Sequence, residues 1–290
     1  FVSSPSTLGH WKNIVSIVIA NYFSVRIISH VHNGNFTNLF KKKTTSFSAR
    51  CMVEIVDTFV FTSRLLSSQA GRYIPEQKRT VVHNTVDRKV HCSQEEVEAK
   101  IMSSRSGQLS VLFLSNMIES KGYRDVARAV ECYNSYDGCD ATVDFIGDWP
   151  SEEDRHRFEA QIEQCRHTDA MTIHGRITDR ECLRRALLHA DVFVLPTYYP
   201  NEAQPIIIIE ALNAGTPVIA TPHAAIPEYV VDGKNGYLVD KKSPAQIAEK
   251  LKMLTESTRW RKMARTARQT YTEGYSPKAV SEQLISALRA

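Results

Sequence analysis

The sequence predicts an α/β protein built from parallel strands that are covered on both faces by helices. Short apolar runs rich in Val, Ile and Phe alternate along the chain with amphipathic stretches of helical length, which is typical of βα units. Most of these runs are apolar at nearly every position, as strands buried on both faces must be. With 290 residues, 42% of them hydrophobic, the chain is long enough for two domains of ordinary size.

The elements are predicted from these runs in chain order. The strands are expected at residues 26–30, 58–62, 80–83, 110–114, 142–146, 171–174, 192–195 and 217–220. The clearest helices are expected at 122–131, 152–165, 179–188, 205–213 and 244–255, with a last helix at 277–288. An apolar stretch at 14–25 is shorter than the roughly 20 residues that cross a bilayer, so we expect it to form a buried helix.

A change in composition indicates where the chain divides. Between residues 86 and 107 the polarity rises and no strand pattern appears, so we expect one domain at 1–107 and another at 108–275. The first domain has few strand candidates and opens without a first strand and its glycine-rich turn, which predicts an incomplete Rossmann-like domain. The final helix, within 276–290, is expected to pack back on that domain.

Composition argues against several classes of protein. The net charge of +4 is modest and the basic residues are spread out, so nucleic acid is not an expected partner. The six cysteines have no metal-ligand spacing, so neither a zinc site nor a disulfide framework is predicted, and a reducing cytoplasm fits best. Two basic clusters, Lys41 to Lys43 and Arg259 to Arg268, are either solvated surface or points of weak attraction to an anionic membrane.

The segment from 192 to 222 predicts a strand, a loop, a helix and a second strand. Pro205 is expected in the first helical turn, and Gly215 is expected to end the helix in a left-handed conformation. Glu202 and Glu210 lie on either side of the helix start. Were the whole interval helical, they would be ~12 Å apart along the axis with ~80° of rotation. Unpaired N–H groups between them would favour an anion, although either glutamate alone is also explained by the helix dipole.

In this arrangement the sequence resembles the retaining glycosyltransferases of family four, which have the GT-B fold of two facing Rossmann-like domains and an E-x7-E signature. The resemblance covers nearly the whole chain, and it implies that Glu202 contacts the transferred sugar and Glu210 hydrogen-bonds the nucleotide ribose. Ala203 stands where many relatives have glycine. The residues implied to line the sugar and phosphate pocket are Ala203, Gln204, Pro205 and Ile206.

A second motif, from 111 to 130, predicts a strand, a loop and a helix. Lys121 beside Gly122 could place an ammonium over a phosphate pair, although an exposed lysine at a helix start has the same pattern. The resembling family holds its donor diphosphate here with a G-R-x4-K-G pattern. Lys121 matches the lysine, whereas Asn116 replaces the arginine and cannot neutralise charge, which implies weaker or differently organised phosphate binding.

Glycines follow two further predicted strands. Gly147 and Gly175 would let a ligand approach the backbone closely, although an ordinary turn explains each of them as well. In the resembling family these loops form the nucleotide pocket. The base is implied to lie against the residues after the second glycine, here Arg176 and Ile177.

His30 and His32 share one face of the first predicted strand, because side chains alternate along a strand. No third metal ligand accompanies them. The resemblance matches His32 to a histidine of the acceptor-side cleft that lies against the donor sugar, and a structural histidine is the alternative. The segment 81–87 resembles the family's N-G-V-D turn, with Thr85 in place of glycine, and is expected to be architectural.

The resemblance implies transfer of a hexosyl group from a nucleotide diphosphate sugar to a hydroxyl with retained configuration, in the synthesis of cell-surface polysaccharide or glycoconjugate. The implied catalytic residues are Glu202, His32 and Lys121. No metal or other cofactor is expected, because Lys121, Asn116 and helix N–H groups would stabilise the departing diphosphate. The expected acceptor is a glycan or lipid-linked glycan, with the protein cytoplasmic or peripheral at the inner face of the plasma membrane.

Two alternatives to this function stay open. One is a subunit that binds a nucleotide sugar, or a catalytic partner, without turnover of its own. The other is a nucleotide-sugar epimerase on the same fold, which would need carboxylates placed for proton abstraction.

Overall fold

The computed structural model describes residue 2 and residues 6–103 and 107–289. These residues form two compact units. The first unit comprises the described residues up to Asn84, the short segment Pro200–Gln204 and the last helix, and the second comprises Thr85–Tyr199 and Pro205–Ser276. Each unit has its own sheet, and every strand pair in both sheets is parallel, which confirms the predicted α/β class.

The elements alternate as the sequence predicted. In chain order they are α1 (Thr7–Tyr22), β1 (Ile28–Val31), α2 (Ser46–Ile55), β2 (Thr58–Phe61), α3 (Arg64–Ala70), β3 (Arg79–Val81), α4 (Gln94–Met102), β4 (Leu109–Leu114), α5 (Tyr123–Asn134), β5 (Ala141–Ile146), α6 (Glu152–Glu163), β6 (Met171–Gly175), α7 (Arg180–His189), β7 (Val192–Leu195), α8 (Ile206–Asn213), β8 (Val218–Ala220), β9 (Gly236–Leu238), α9 (Pro244–Leu254), α10 (Ser257–Gly274) and α11 (Pro277–Arg289). Strand β9 was not predicted, because it has three residues and begins with a glycine.

The first unit is built on a sheet with the strand order β1-β2-β3. Helix α1 packs against α2, where His10 Nε2 and Ser48 Oγ lie 2.8 Å apart. The prediction that the apolar stretch at 14–25 is buried is wrong, because only one face of α1, with Ile17, is covered. Large side chains on its other faces are exposed: Val15, Val18, Ile19, Tyr22 and Phe23. No helix in the described part of the chain is long and apolar enough to span a membrane.

Helix α11 lies on the sheet of the first unit. Ala287 packs with Val60 and Val82 in a small apolar cluster. The side-chain oxygen of Gln283 accepts a hydrogen bond of 3.0 Å from the backbone N–H of His83, just after β3. The last helix of the sequence is therefore part of the first unit, although most of the chain between α3 and α11 belongs to the second.

The boundary between the units lies between Asn84 and Thr85, earlier than the expected boundary near residue 107. Residues 85–103 join the second unit because α4 packs against α7 and α10. The side chains of Val97 and Ile101 on α4 are fully buried there. The sequence shows no sign that the segment Pro200–Gln204 belongs to the first unit.

The second unit has six parallel strands in the order β6-β5-β4-β7-β8-β9. The chain proceeds outward from β4 to β6 and then returns to the other side of β4 with β7. The strand order therefore reverses between β4 and β7, and open α/β sheets bind ligands outside the carboxyl ends of the strands at such a position.

Helix α8 is fixed at its carboxyl end by a buried guanidinium. Arg268 of α10 is 7% exposed and donates to the backbone oxygen and the side-chain oxygen of Asn213, at 2.5 and 3.0 Å. It also donates to the carbonyl of Cys92 at 2.9 Å and to the side chain of Gln94 at 3.2 Å. The basic cluster at 259–268 is therefore not a uniformly solvated helix face.

Arg268→Met should lower the free energy of unfolding by about 3 kcal/mol, because buried acceptors on Asn213 and Cys92 would lose a charged donor. Arg265→Met is the matched control. Arg265 lies on the same helix but is exposed, so its replacement should cost less than about 0.5 kcal/mol. Chemical denaturation of the three proteins measures the difference, and equal losses in the two variants would contradict the structural role of Arg268.

Gly122 lets the loop after β4 approach the loop after β7. Its φ of 86° lies in the left-handed region, and a Cβ built on it would lie 2.7 Å from the carbonyl oxygen of Pro196. Gly122→Ala should therefore cost about 3 kcal/mol, from backbone strain and the clash together. Gly138 has a φ of 71° with nothing within 4 Å of an added Cβ, so Gly138→Ala should cost only about 1 kcal/mol. Thermal unfolding of both variants tests this ranking, and the reverse order would contradict it.

Candidate functional site

A cleft of about 560 Å³ opens at the carboxyl ends of β4, β5 and β6 in the second unit. Its walls come from the loops after these strands and from the first turns of α7 and α8. The residues of the predicted donor site that line it are Asn116, Gly147, Arg176, Ile177, Ile206 and Glu210. The structure thus brings together in one cleft residues that are far apart in the sequence.

Glu210 forms a buried acidic wall of this cleft, with a side chain that is 5% exposed. Burial raises the pKa of its carboxyl, because the charged form loses hydration. Arg180, whose Nη1 lies 3.8 Å from Glu210 Oε1, acts in the opposite direction, and the negative charge of Asp87 raises the pKa further. The Nε of Arg180 lies 4.0 Å from Asp87 Oδ2, so the arginine lies between the two carboxylates.

Sequence reasoning missed Arg180. It is the first residue of α7, after the N-cap Asp179, and in the sequence it looks like one more charged residue on a solvated helix. The available signal was weak: a cation in the first turn of a helix opposes the helix dipole. The structure explains this unfavourable position, since the side chain lines the cleft and faces Glu210.

Arg176 and Asp148 form an ion pair at the edge of the same cleft. Arg176 Nη1 lies 3.4 Å from Asp148 Oδ2, and the two side chains are 67% and 56% exposed. An exposed pair of this kind contributes little to stability. Both groups are therefore able to exchange their mutual contact for contacts with a ligand.

Lys121 lies on the loop after β4, next to Gly122. Its Nζ is 4.9 Å from the centre of the Tyr199 ring. The backbone N–H of Tyr198 donates a hydrogen bond of 2.8 Å to the carbonyl oxygen of Ser120, which precedes Lys121. Lys121 is not among the described residues that line the cleft of Glu210. It is joined to that cleft through the earlier part of its own loop, which contributes Asn116.

Helix α8 begins at Ile206, with Pro205 as its N-cap instead of a member of its first turn. Glu202 lies before the helix, so the helical spacing considered for Glu202 and Glu210 is not the observed geometry. Glu202 is half-buried and belongs to the first unit, together with Ala203 and Gln204.

Ala203 and Gln204 both contact the interior of the first unit. Ala203 packs against the apolar core there. The side-chain oxygen of Gln204 accepts a hydrogen bond of 3.0 Å from the N–H of Asn84, and its amide nitrogen lies 3.3 Å from Nδ1 of His83. These contacts anchor the segment that carries Glu202.

The loop after β1 touches the same segment within the first unit. A Cβ on Gly34 would lie 2.8 Å from the carbonyl oxygen of Glu202, and the side chains of Asn35 and Asn201 are hydrogen-bonded. His32 precedes Gly34 by two positions. The structure therefore places the loops of the two residues predicted to meet the sugar, His32 and Glu202, in contact with each other.

His30 and His32 lie side by side, as strand alternation predicted, with ring centroids 4.0 Å apart. Desolvation lowers the pKa of both rings. For His30 the neighbouring His32 lowers the pKa further, to about 4. Both rings are thus neutral at pH 7. Across residues 2, 6–103 and 107–289, no group of three His, Cys, Asp or Glu side chains is placed to hold a metal ion.

The sequence matches known glycosyltransferases. Residues 94–272, more than half of the chain, match the family described as glycosyl transferases group 1. A stretch of 150 residues, 50% of the chain, is 29% identical to the colanic acid biosynthesis glycosyltransferase WcaL of Salmonella typhimurium. That stretch covers 36% of the WcaL protein, so the match spans little more than a third of this curated relative.

The fold is similar to solved structures over nearly its whole length. Anabaena HepE in complex with UDP superposes with a TM-score of 0.79 at 16% identity, over 98% of this chain and 77% of that chain. Sucrose-phosphate synthase from Thermosynechococcus elongatus gives a TM-score of 0.74 at 18% identity, over 98% and 71%. The family match over more than half of the chain shows that the chain belongs to the glycosyl transferases group 1 family, and the likenesses to solved structures show that it has the GT-B fold.

Proposed function

We propose that this chain transfers a hexosyl group from a nucleotide diphosphate sugar to a hydroxyl acceptor, with retention of the anomeric configuration. The observation that carries this proposal is the cleft in the second unit, where the buried carboxylate of Glu210 adjoins the first turn of α8. A carboxylate accepts hydrogen bonds from ribose hydroxyls, and the amino end of a helix favours an anion such as a diphosphate. The two groups together suit a nucleoside diphosphate.

The relatives support the nature of the donor and the product. HepE was crystallised with UDP, which supports a nucleoside diphosphate as the common part of the ligand. WcaL is named for colanic acid biosynthesis, which supports the synthesis of a cell-surface polysaccharide. The acceptor would then be a glycan or a lipid-linked glycan.

The proposed roles follow the position of each residue. In the second unit, Glu210 accepts from the ribose, Arg176 and Ile177 adjoin the base, and Asn116 and Lys121 meet the diphosphate. In the first unit, Glu202 and His32 meet the transferred sugar. No metal is required in this proposal, because Lys121 and the N–H groups at the start of α8 stabilise the negative charge of the leaving group.

Contact with a membrane surface is proposed for the first unit. Lys41, Lys42 and Lys43 are consecutive and exposed, and each lysine close to an anionic bilayer contributes about 1 kcal/mol of attraction. Co-sedimentation with vesicles that contain anionic lipid, but not with neutral vesicles, is the expected result. Equal sedimentation with both kinds would remove this part of the proposal.

The proposal as a whole is tested by ligand screening followed by a turnover assay. A thermal-shift screen of nucleotide sugars should identify one donor that stabilises the protein. Release of the nucleoside diphosphate from that donor should continue in the presence of EDTA, and NMR of the product should show the anomeric configuration of the donor. Binding without any turnover would instead support the non-catalytic subunit, and inversion of the anomeric centre would refute retention.

Lys121→Ala should weaken binding of the nucleotide sugar and of the bare nucleoside diphosphate alike, roughly 10- to 100-fold, because both share the phosphates that the ammonium contacts. Lys234→Ala is the matched control, since Lys234 is exposed elsewhere in the second unit and should have no effect. Isothermal titration calorimetry with each ligand measures the change. Unchanged affinity of Lys121→Ala for both ligands would remove this residue from the site.

The two glutamates should differ when each is replaced by glutamine. Glu210→Gln should raise the dissociation constant of the nucleoside diphosphate roughly five- to thirtyfold, because the ribose loses an ionised acceptor. Glu202→Gln should leave that constant unchanged and depress transfer, because its contact is to the sugar ring on which positive charge develops. Calorimetry and initial rates separate the two effects. Equal losses of nucleotide affinity would show that the roles are wrongly divided.

A further inference from the structure

We infer that Arg180 is a positioning residue: it holds the carboxylate of Glu210 at the wall of the cleft as an acceptor for a nucleotide ribose. This inference rests on the proposed function, since it assigns a partner to the residue that receives the nucleotide. Arg180 lines the same cleft as Glu210, and its side chain lies between Glu210 and Asp87.

The geometry indicates that Arg180 acts through its charge. Its Nη1 lies 3.8 Å from Glu210 Oε1 and its Nε lies 4.0 Å from Asp87 Oδ2. Both distances are longer than a hydrogen bond but short enough for strong attraction between ions. The ion pair therefore stabilises the charge of Glu210 without using the oxygen lone pairs that would accept a ribose hydroxyl.

Burial makes this stabilisation necessary. The Glu210 side chain is 5% exposed, whereas those of Arg180 and Asp87 are 41% and 46% exposed. A carboxylate that has lost its water is neutralised unless a cation lies close to it. The other charged groups of the cleft, Arg176 and Asp148, are paired with each other at 3.4 Å.

The two partners of Glu210 have opposite effects on its ionisation. Arg180 lowers the pKa of the Glu210 carboxyl, and Asp87 raises it. Ribose binding uses the ionised carboxylate, so affinity should fall as the pH falls through the pKa of Glu210. Removal of Arg180 should move this loss to higher pH, and removal of the Asp87 charge should move it to lower pH.

The test measures nucleotide affinity from about pH 5 to about pH 8 by calorimetry. UDP is the probe, with GDP, ADP and dTDP tried if UDP does not bind. Arg180→Met should weaken binding at neutral pH roughly twofold to fivefold and shift the midpoint of the pH profile upward. Asp87→Asn should shift it downward, and Arg180→Lys should restore the midpoint of the unmodified protein. Glu210→Gln should leave only the pH dependence that comes from the nucleotide's own terminal phosphate, whose pKa is about 6.

Each outcome decides between distinct explanations. If the unmodified protein binds none of the four nucleotides, the proposed function and this inference both fail. If it binds one of them and Arg180→Met loses affinity by the same factor at every pH, the arginine contacts the nucleotide directly and only the inference is overturned. A pH profile of affinity that Arg180→Met leaves unchanged would also overturn only the inference. Should Arg180→Met not fold, as judged by circular dichroism, the downward shift in Asp87→Asn decides the question.

Discussion

The second unit depends on one constraint: an acidic side chain is carried into the interior by a helix that is itself buried. From Ile208 to Asn213 every residue of α8 is buried, so Glu210 must give up most of its hydration. Burying a carboxylate costs several kcal/mol unless a cation offsets it, and Arg180 supplies that charge at the cleft. Arg268 fixes the other end of the same helix through Asn213. The helix is thereby held at its carboxyl end while Glu210 presents a polar group to the cleft.

Strand topology determines which residues can share this cleft. Because the strands are parallel, the loops after β4, β5 and β6 all emerge at one edge of the sheet, and α8 starts at that same edge after β7. Gly122 permits close packing of the loops that follow β4 and β7, the two strands between which the order reverses. Asn116, Gly147 and Arg176 therefore meet although they come from three different βα units.

The sequence was most informative where both faces of an element are buried. Strand β7 was predicted to the residue, because its four positions are apolar and all four are buried. Prediction failed for α1, whose composition suggests a core helix although its outer faces are exposed. It also failed for Arg180 and for the segment Pro200–Gln204, because the pairing of distant charges and the assignment of a loop to a unit are set by tertiary contacts. The E-x7-E spacing led to the prediction of Glu202 and Glu210 as site residues but could not give their geometry, since Pro205 delays the helix until Ile206.

The charges in the cleft bear on the replacement of the family's phosphate-binding arginine by Asn116. Arg176 and Arg180 line the cleft, and each lies beside a carboxylate, Asp148 and Glu210 respectively. Two cations and two anions leave these four groups with no net charge. Arg176 and Arg180 therefore do not supply the excess positive charge that the family's arginine would bring in place of Asn116. In the proposed function, attraction for a diphosphate therefore depends on the helix dipole at the start of α8 and on Lys121, whose Nζ lies 4.9 Å from the centre of the Tyr199 ring.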